Sequence, residues 1–256
     1  MTTPTLPVRL SGGPADPDRP VLLLLHGLGA TADVWYGWRP VLEEGWPGRW
    51  LAPDLPGHAG APPLPRYSFG ALAAAVAGLL APGDRVVVLG HSLGGVVGLT
   101  LASGWFGQAV EAVVGLGIKV VWSADELAKA QALAARPVAW FGSRGEAAAR
   151  HLRVAGLGGL VEDDHPVVAA GLREEGGRWR PALDPAAFAV GEPDLPGLLA
   201  AARARVTLAR GEHDPMVSDE QLAALHPQPV TLPGLGHNAH VEDPAAVARL
   251  LEPFAG

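Results

Sequence analysis

The chain has no cysteine among its 256 residues. Disulfides, thiolate metal sites and a cysteine nucleophile are therefore excluded. Charge is sparse as well: 18% of residues are charged, and the formal net charge is -7. The 19 lysines and arginines are scattered and form no stripe, so no nucleic-acid partner is expected. No apolar run approaches the roughly 18 residues of a bilayer span, so no membrane segment is expected. The first twenty residues lack a basic start followed by a long apolar block, so no secretory leader is expected either. No repeat of fixed period is present. These absences fit a cytoplasmic protein and leave the oligomeric state open. Apolar residues, at 48%, are plentiful enough for a sizeable core. Turn formers are plentiful too, with 34 glycines and 25 prolines spread along the chain.

Short apolar runs at 21–25, 50–53, 86–89, 109–116, 206–209 and 229–232 read as strands, with a weaker edge strand at 6–10. Helical stretches alternate with them. One is capped by Thr31 or Asp33 and carries Trp35, Trp38 and Leu42; a second runs from Ser68 to about Ala81; a third, rich in small residues, follows Ser92. This alternation predicts a mostly parallel sheet covered on both faces. Trp35, Trp38, Trp46 and Trp50 are assigned to the core. Between 119 and 190 the rhythm changes to helices with no strand. A helix is capped at Ser123-Ala124-Asp125-Glu126, a second spans 143–154, and a third spans 166–174. Residues 179–181 and 184–185 read as turns. The predicted organisation is a sheet domain from 1–118 and 191–256, interrupted by a helical cap over 119–190.

The strand at 86–89 runs into Gly90-His91-Ser92-Leu93-Gly94. Gly-x-Ser-x-Gly between a strand and a helix is a sharp turn that lifts a serine hydroxyl above the sheet. Ligands of open parallel sheets collect beyond the carboxyl ends of the strands. His26-Gly27, Ser92, Asp214 and His237 each follow such an end. A serine hydroxyl needs a base beside it, and the base needs an orienting partner. His237 suits the first role and Asp214 the second. Glu212 and Asp194 compete with Asp214, although Asp194 precedes a helix and suits a cap. A tetrahedral oxyanion would need two donors, and the backbone N–H groups of Leu28 and Leu93 are placed for it. His91 reads as a packed elbow residue, His58 as part of its Pro-Gly turn and His213 as a loop residue. His237 and His240 lack a third ligand, so no metal is expected. Trp122, Trp140, Phe141 and Val217 are candidates for the substrate pocket, with plain packing as the alternative for the aromatics.

Leu25-His26-Gly27-Leu28-Gly29, Asp54-Leu55-Pro56-Gly57-His58, Gly90 to Gly95, Gly211-Glu212-His213-Asp214 and Gly236-His237-Asn238 occur in that order. The chain in this respect resembles α/β-hydrolase fold enzymes, within them the capped branch of small esterases and C–C bond hydrolases. The resemblance implies a mostly parallel central sheet flanked by helices, with a helical cap inserted after the sixth strand. It implies nucleophile Ser92, acid Asp214, base His237, and oxyanion donors on Leu28 and Leu93. It implies cofactor-free hydrolysis of small or medium apolar esters through an acyl-enzyme. The same three side chains could serve C–C bond, lactone or amide hydrolysis or perhydrolysis, and some proteins of this fold are ligand sensors that keep them. Ser92 stands where haloalkane dehalogenases and epoxide hydrolases carry aspartate. His26-Gly27-Leu28-Gly29 departs from the His-Gly-Gly-Gly loop of another esterase branch.

Overall fold

The computed structural model describes residues 6–255. Its strands are β1 (Val8–Gly12), β2 (Val21–Leu25), β3 (Trp50–Pro53), β4 (Arg85–His91), β5 (Ala109–Leu116), β6 (Leu172–Glu175), β7 (Arg178–Pro181), β8 (Arg205–Gly211) and β9 (Val230–Leu232). All but β6 and β7 form one seven-stranded sheet in the order β1-β3-β2-β4-β5-β8-β9. Neighbours pair in parallel, except β1, which lies antiparallel to β3 at the edge. The central strand β4 lies between β2 and β5 and delivers its carboxyl end, with Ser92 just beyond, to the middle of one rim.

The runs that read as strands are buried on both faces because helices cover both. Leu22, Leu24, Val87 and Leu89 enter one core; Leu23, Leu25, Val86 and Val88 enter the other, as a two-residue period requires. The first core holds all four tryptophans assigned to it, and the Trp35 and Trp38 rings meet edge-on at 5.2 Å. Thr31 caps a 3-10 helix at Ala32–Trp38, which leads into α1 (Arg39–Gly45). Ser68 caps α2 (Phe69–Ala77). The helix after the serine, α3 (Leu93–Leu101), is buried at every position. Its glycines let it close on the sheet: a Cβ on Gly98 would lie 2.8 Å from Val88 Cγ1.

Between β5 and β8 come α4 (Ala124–Ala134) and α5 (Arg144–Ala155), each opened by a complete capping box, Ser123 with Glu126 and Ser143 with Glu146. Two expectations need correction here. The insertion follows the fifth strand, not the sixth. It is not purely helical: α6 (Pro166–Ala170) stops early, and β6 and β7 form an antiparallel hairpin through residues expected to be helix and turn. The reason is Gly176-Gly177, with φ of 59° and 76°, the left-handed geometry that closes a two-residue hairpin. Glu174 accepts the Gly177 N–H at 2.8 Å and fixes that turn. The rest of the sheet domain adds α7 (Leu195–Ala201) and α8 (Asp219–Ala223). The described residues end in α9 (Ala239–Glu242), α10 (Pro244–Ala248) and a 3-10 turn at Arg249–Phe254, divided where Pro244 and Pro253 each remove a backbone donor.

A tight crossing lies where α3 starts against β2. A Cβ on Gly94 would sit 2.2 Å from the Leu25 carbonyl oxygen, and that oxygen belongs to a buried strand that cannot yield. Gly94→Ala is expected to lower stability by about 3 kcal/mol, the upper range for overpacking. Calorimetry reads this as a lowered Tm, and an unchanged Tm would contradict the crossing.

Candidate active site

Ser92 has φ 50° and ψ -114°, a backbone region that side-chain-bearing residues avoid. Its surroundings hold it there. Its N–H donates to Leu116 O at 2.8 Å, fastening the elbow to the end of β5. A Cβ on Gly90 would lie 2.3 Å from Gly94 O, so the strand and helix converge with no room for side chains at either glycine.

Past β8 the chain turns so that Asp214 faces His237 from the loop after β9. His237 Nδ1 lies 2.9 and 3.0 Å from the two Asp214 oxygens. With Nδ1–H donating to the carboxylate, Nε2 is left free to accept a proton. The Asp214 side chain is fully buried and also accepts the Met216 N–H at 2.8 Å. His237 is 21% exposed at its side chain. Neither competing carboxylate is there: Glu212 accepts the Gly234 N–H at 2.8 Å, and Asp194 caps α7 through the Gly197 N–H at 3.0 Å. Gly117, at φ 62° past β5, lies against the pair; a Cβ would fall 3.2 Å from both Asp214 Oδ2 and His237 Nδ1.

His91 does more than pack in the elbow. Its Nε2–H donates to the His237 backbone oxygen at 2.9 Å, with the rings 4.6 Å apart. The residue beside the serine thereby fixes the backbone of the histidine expected to be its base. Burial and the neighbouring His240 and His237 push the His91 pKa well below the ordinary range.

The loop expected to supply an oxyanion donor is locked from below by two buried histidines. His26 Nδ1–H donates to Gly27 O at 2.9 Å, which leaves Nε2 to accept the Leu55 N–H at 2.9 Å. His58 Nδ1–H donates to Pro56 O at 3.1 Å, which leaves Nε2 to accept the Gly29 N–H at 3.0 Å. Each loop thus carries a histidine that accepts a backbone N–H of the other, and the rings meet edge-on at 5.0 Å. The Asp54 carboxylate adds a third tie by accepting the Ala32 N–H at 3.0 Å, and burial raises its pKa. His58 was expected only to serve its turn, and the cross-loop bond was not legible. Leu93 opens α3, so its N–H has no acceptor within the helix. The Leu28 N–H, likewise, has no protein acceptor among the described residues.

Leu28, Ser92, Leu93, Trp122 and His237 all line one cavity of about 310 Å³. The other pocket candidates lie elsewhere. Trp140 is sandwiched near the Arg178 and Arg180 guanidiniums, 5.0 and 5.5 Å from its ring. Phe141 exchanges backbone hydrogen bonds with Trp179, extending the hairpin. Val217 is buried beneath the neighbouring cleft. The wall that sequence missed is the last turn of α5: Val154 touches the 26–29 loop closely enough that a Cβ on Gly29 would lie 2.4 Å from its Cγ1.

Both His26 and His58 must be neutral to accept at Nε2. Burial pushes His26 to about 4; burial, then the nearby His26, pushes His58 to about 3. Burial also takes His151 to about 4 and His240 to about 3. In the unfolded chain these groups regain the ordinary value of 6.5, so below that pH the unfolded state binds more protons. Stability is therefore complete above about pH 6.5 and falls as pH drops toward 4. Each group contributes a slope of up to about 1.4 kcal/mol per pH unit. Denaturant unfolding at pH 7.5, 6.0 and 5.0 should show a falling free energy, and a flat profile would contradict the neutral cluster.

A family model described as "Alpha/beta hydrolase family" matches residues 22–250. A pimeloyl-[acyl-carrier protein] methyl ester esterase of Aromatoleum aromaticum is 42% identical over 87 residues, 33% of this chain and 32% of that protein. An uncharacterized protein of Mycobacterium tuberculosis is 40% identical over 87 residues, 32% of this chain and 25% of its own length. The chain thus spans a third or less of these curated relatives. Among solved structures, E-2-(acetamidomethylene)succinate hydrolase superposes with a TM-score of 0.75 at 24% identity, covering 95% of this chain and 92% of that one. A hydrolase from Pseudomonas aeruginosa gives 0.72 at 25% identity, covering 96% and 93%. A Mycobacterium tuberculosis esterase gives 0.70 at 23%, covering 98% and 92%. With its sheet order, its strained serine elbow and a family match over nearly its whole length, this chain belongs to the alpha/beta hydrolase family.

Proposed function

We propose that the chain is a serine hydrolase acting on carboxylic esters, with Ser92 as nucleophile, His237 as base and Asp214 as its orienting acid. The observation that carries this reading is the buried Asp214–His237 hydrogen bond opening onto the cavity that Ser92 also lines. The esterase names among the similar proteins support the choice of ester as substrate. The absence of cysteine fits a reducing compartment, and we place the enzyme in the cytoplasm.

The chemistry follows from the positions. Ser92 Oγ attacks the ester carbonyl carbon while His237 Nε2 takes the hydroxyl proton. The carbonyl oxygen becomes an oxyanion and accepts the N–H groups of Leu28 and Leu93, which are held by the histidine-locked loop and by the start of α3. The C–O bond to the alcohol breaks, and the leaving alkoxide takes the proton from His237. Water then attacks the acyl-enzyme with His237 again as base, and Ser92 is regenerated. Asp214 holds the tautomer in which Nε2 is free, and stabilises the imidazolium.

Hydrolysis of p-nitrophenyl acetate tests the assignment. Ser92→Ala is expected to lower kcat about 10⁶-fold and Asp214→Asn about 10⁴-fold, following serine proteases. A Ser92→Ala variant with near wild-type turnover would overturn the reading. A larger loss at Glu212 or Asp194 than at Asp214 would move the acid.

A further inference from the structure

The catalytic cavity does not end at Trp122. A second chamber of about 280 Å³ adjoins it and shares Leu28, Trp122, Val190 and Met216 with its wall. Its remaining lining is Leu127, Ala130 and Leu133 from α4 and Phe188 from the 3-10 helix at Pro185–Val190, with Glu126, Lys129 and Gln131 at its border. The three apolar α4 residues recur at three-residue spacing, which places them on one side of a helix.

α4 itself is unusual. It opens with a complete capping box, yet not one of its residues is buried. It packs against the Pro185–Val190 turn, and Leu127, Ala130, Leu133 and Phe188 all remain half-exposed around the space between. A helix that keeps apolar side chains half-buried around a chamber has apolar surface left to cover. The cation at the junction is compensated: Lys119 Nζ lies 2.7 Å from Glu126 and 5.3 Å from the Trp122 ring centre. Lys129 and Gln131 also border the chamber, but beyond the Lys119–Glu126 pair most of its wall is carbon, which suits a hydrocarbon chain.

We infer that the chamber between α4 and the Pro185–Val190 turn binds the hydrocarbon chain of the substrate, so that the enzyme selects esters of longer alkyl acids over acetyl esters. This rests on the proposed ester hydrolysis and adds to it a substrate class and the residues that choose it. Trp122 lines both chambers and forms the shoulder that the chain passes.

The test is a series of p-nitrophenyl esters from acetate to decanoate, kept below their aggregation concentrations, with the full chain. Wild type should gain about fourfold in kcat/KM per added methylene until the chamber is filled, the equivalent of about 0.8 kcal/mol each. Ala130→Trp places an indole in the chamber and should lower the decanoate-to-acetate ratio of kcat/KM more than tenfold. Leu127→Trp is the second filling variant, should the first fold poorly by its Tm. Ala128→Trp, an exposed α4 position outside the chamber lining, should keep the wild-type ratio. A wild-type profile that is flat or falls with chain length would overturn the chamber while leaving ester hydrolysis standing. So would filling variants whose profiles run parallel to wild type. No turnover of any ester in the series would overturn the proposed function itself.

Discussion

Everything at the rim of this protein depends on one close approach, where the start of α3 passes the end of β2 and the end of β4. The backbone at Gly94 nearly touches the Leu25 carbonyl, and the backbone at Gly90 nearly touches that of Gly94. No side chain fits at either position. The chain between them, held also by the Ser92 N–H bond to Leu116, has left-handed geometry at Ser92 as its only exit. Strain of this kind costs on the order of 1–3 kcal/mol, and it persists because the surrounding packing leaves no alternative. In return the serine hydroxyl is fixed relative to the sheet rather than carried on a mobile loop.

The other parts of the site are fixed with reference to that elbow. His91, one residue before the serine, donates to the backbone of His237. Gly27, in the loop after β2, runs so close to His91 that a Cβ there would lie 2.8 Å from its Nδ1. The loop is held from its far side by the reciprocal bonds of His26 and His58. The loops around Ser92 are thus held by neutral imidazoles beneath the rim, each with its protonation state set by burial and by the bonds it makes. The same arrangement makes the site sensitive to acid, because a protonated ring in either loop would turn a donor toward a donor.

The sheet and the serine elbow were legible because their signals are local. Continuous apolar runs announce strands buried on both faces, and Gly-x-Ser-x-Gly between strand and helix announces the elbow. Asp194 could be set aside as a helix cap, but Glu212 lies two residues from Asp214 on the same loop, and only the fold shows which of the two reaches His237. The histidine lock joins residues 29 positions apart, so no periodicity could reveal it. The cap was harder still. Its hairpin depends on two consecutive glycines in left-handed geometry, a signal that lies in Gly176-Gly177 and was outweighed by the helical segments around it. Which aromatic faces the cavity depends on how the cap docks. Trp122 lines it, while Trp140 and Phe141 are taken up by the arginines and backbone of the hairpin.

The proposed roles require Ser92 to be activated by its neighbours rather than merely placed near them. Reaction with a fluorophosphonate, followed by peptide mass spectrometry, reads that activation directly. The account predicts one covalent adduct per chain, on Ser92, formed rapidly in the wild type and lost when His237 is replaced by alanine. An adduct on another residue, or labelling of Ser92 at the same rate without His237, would contradict it.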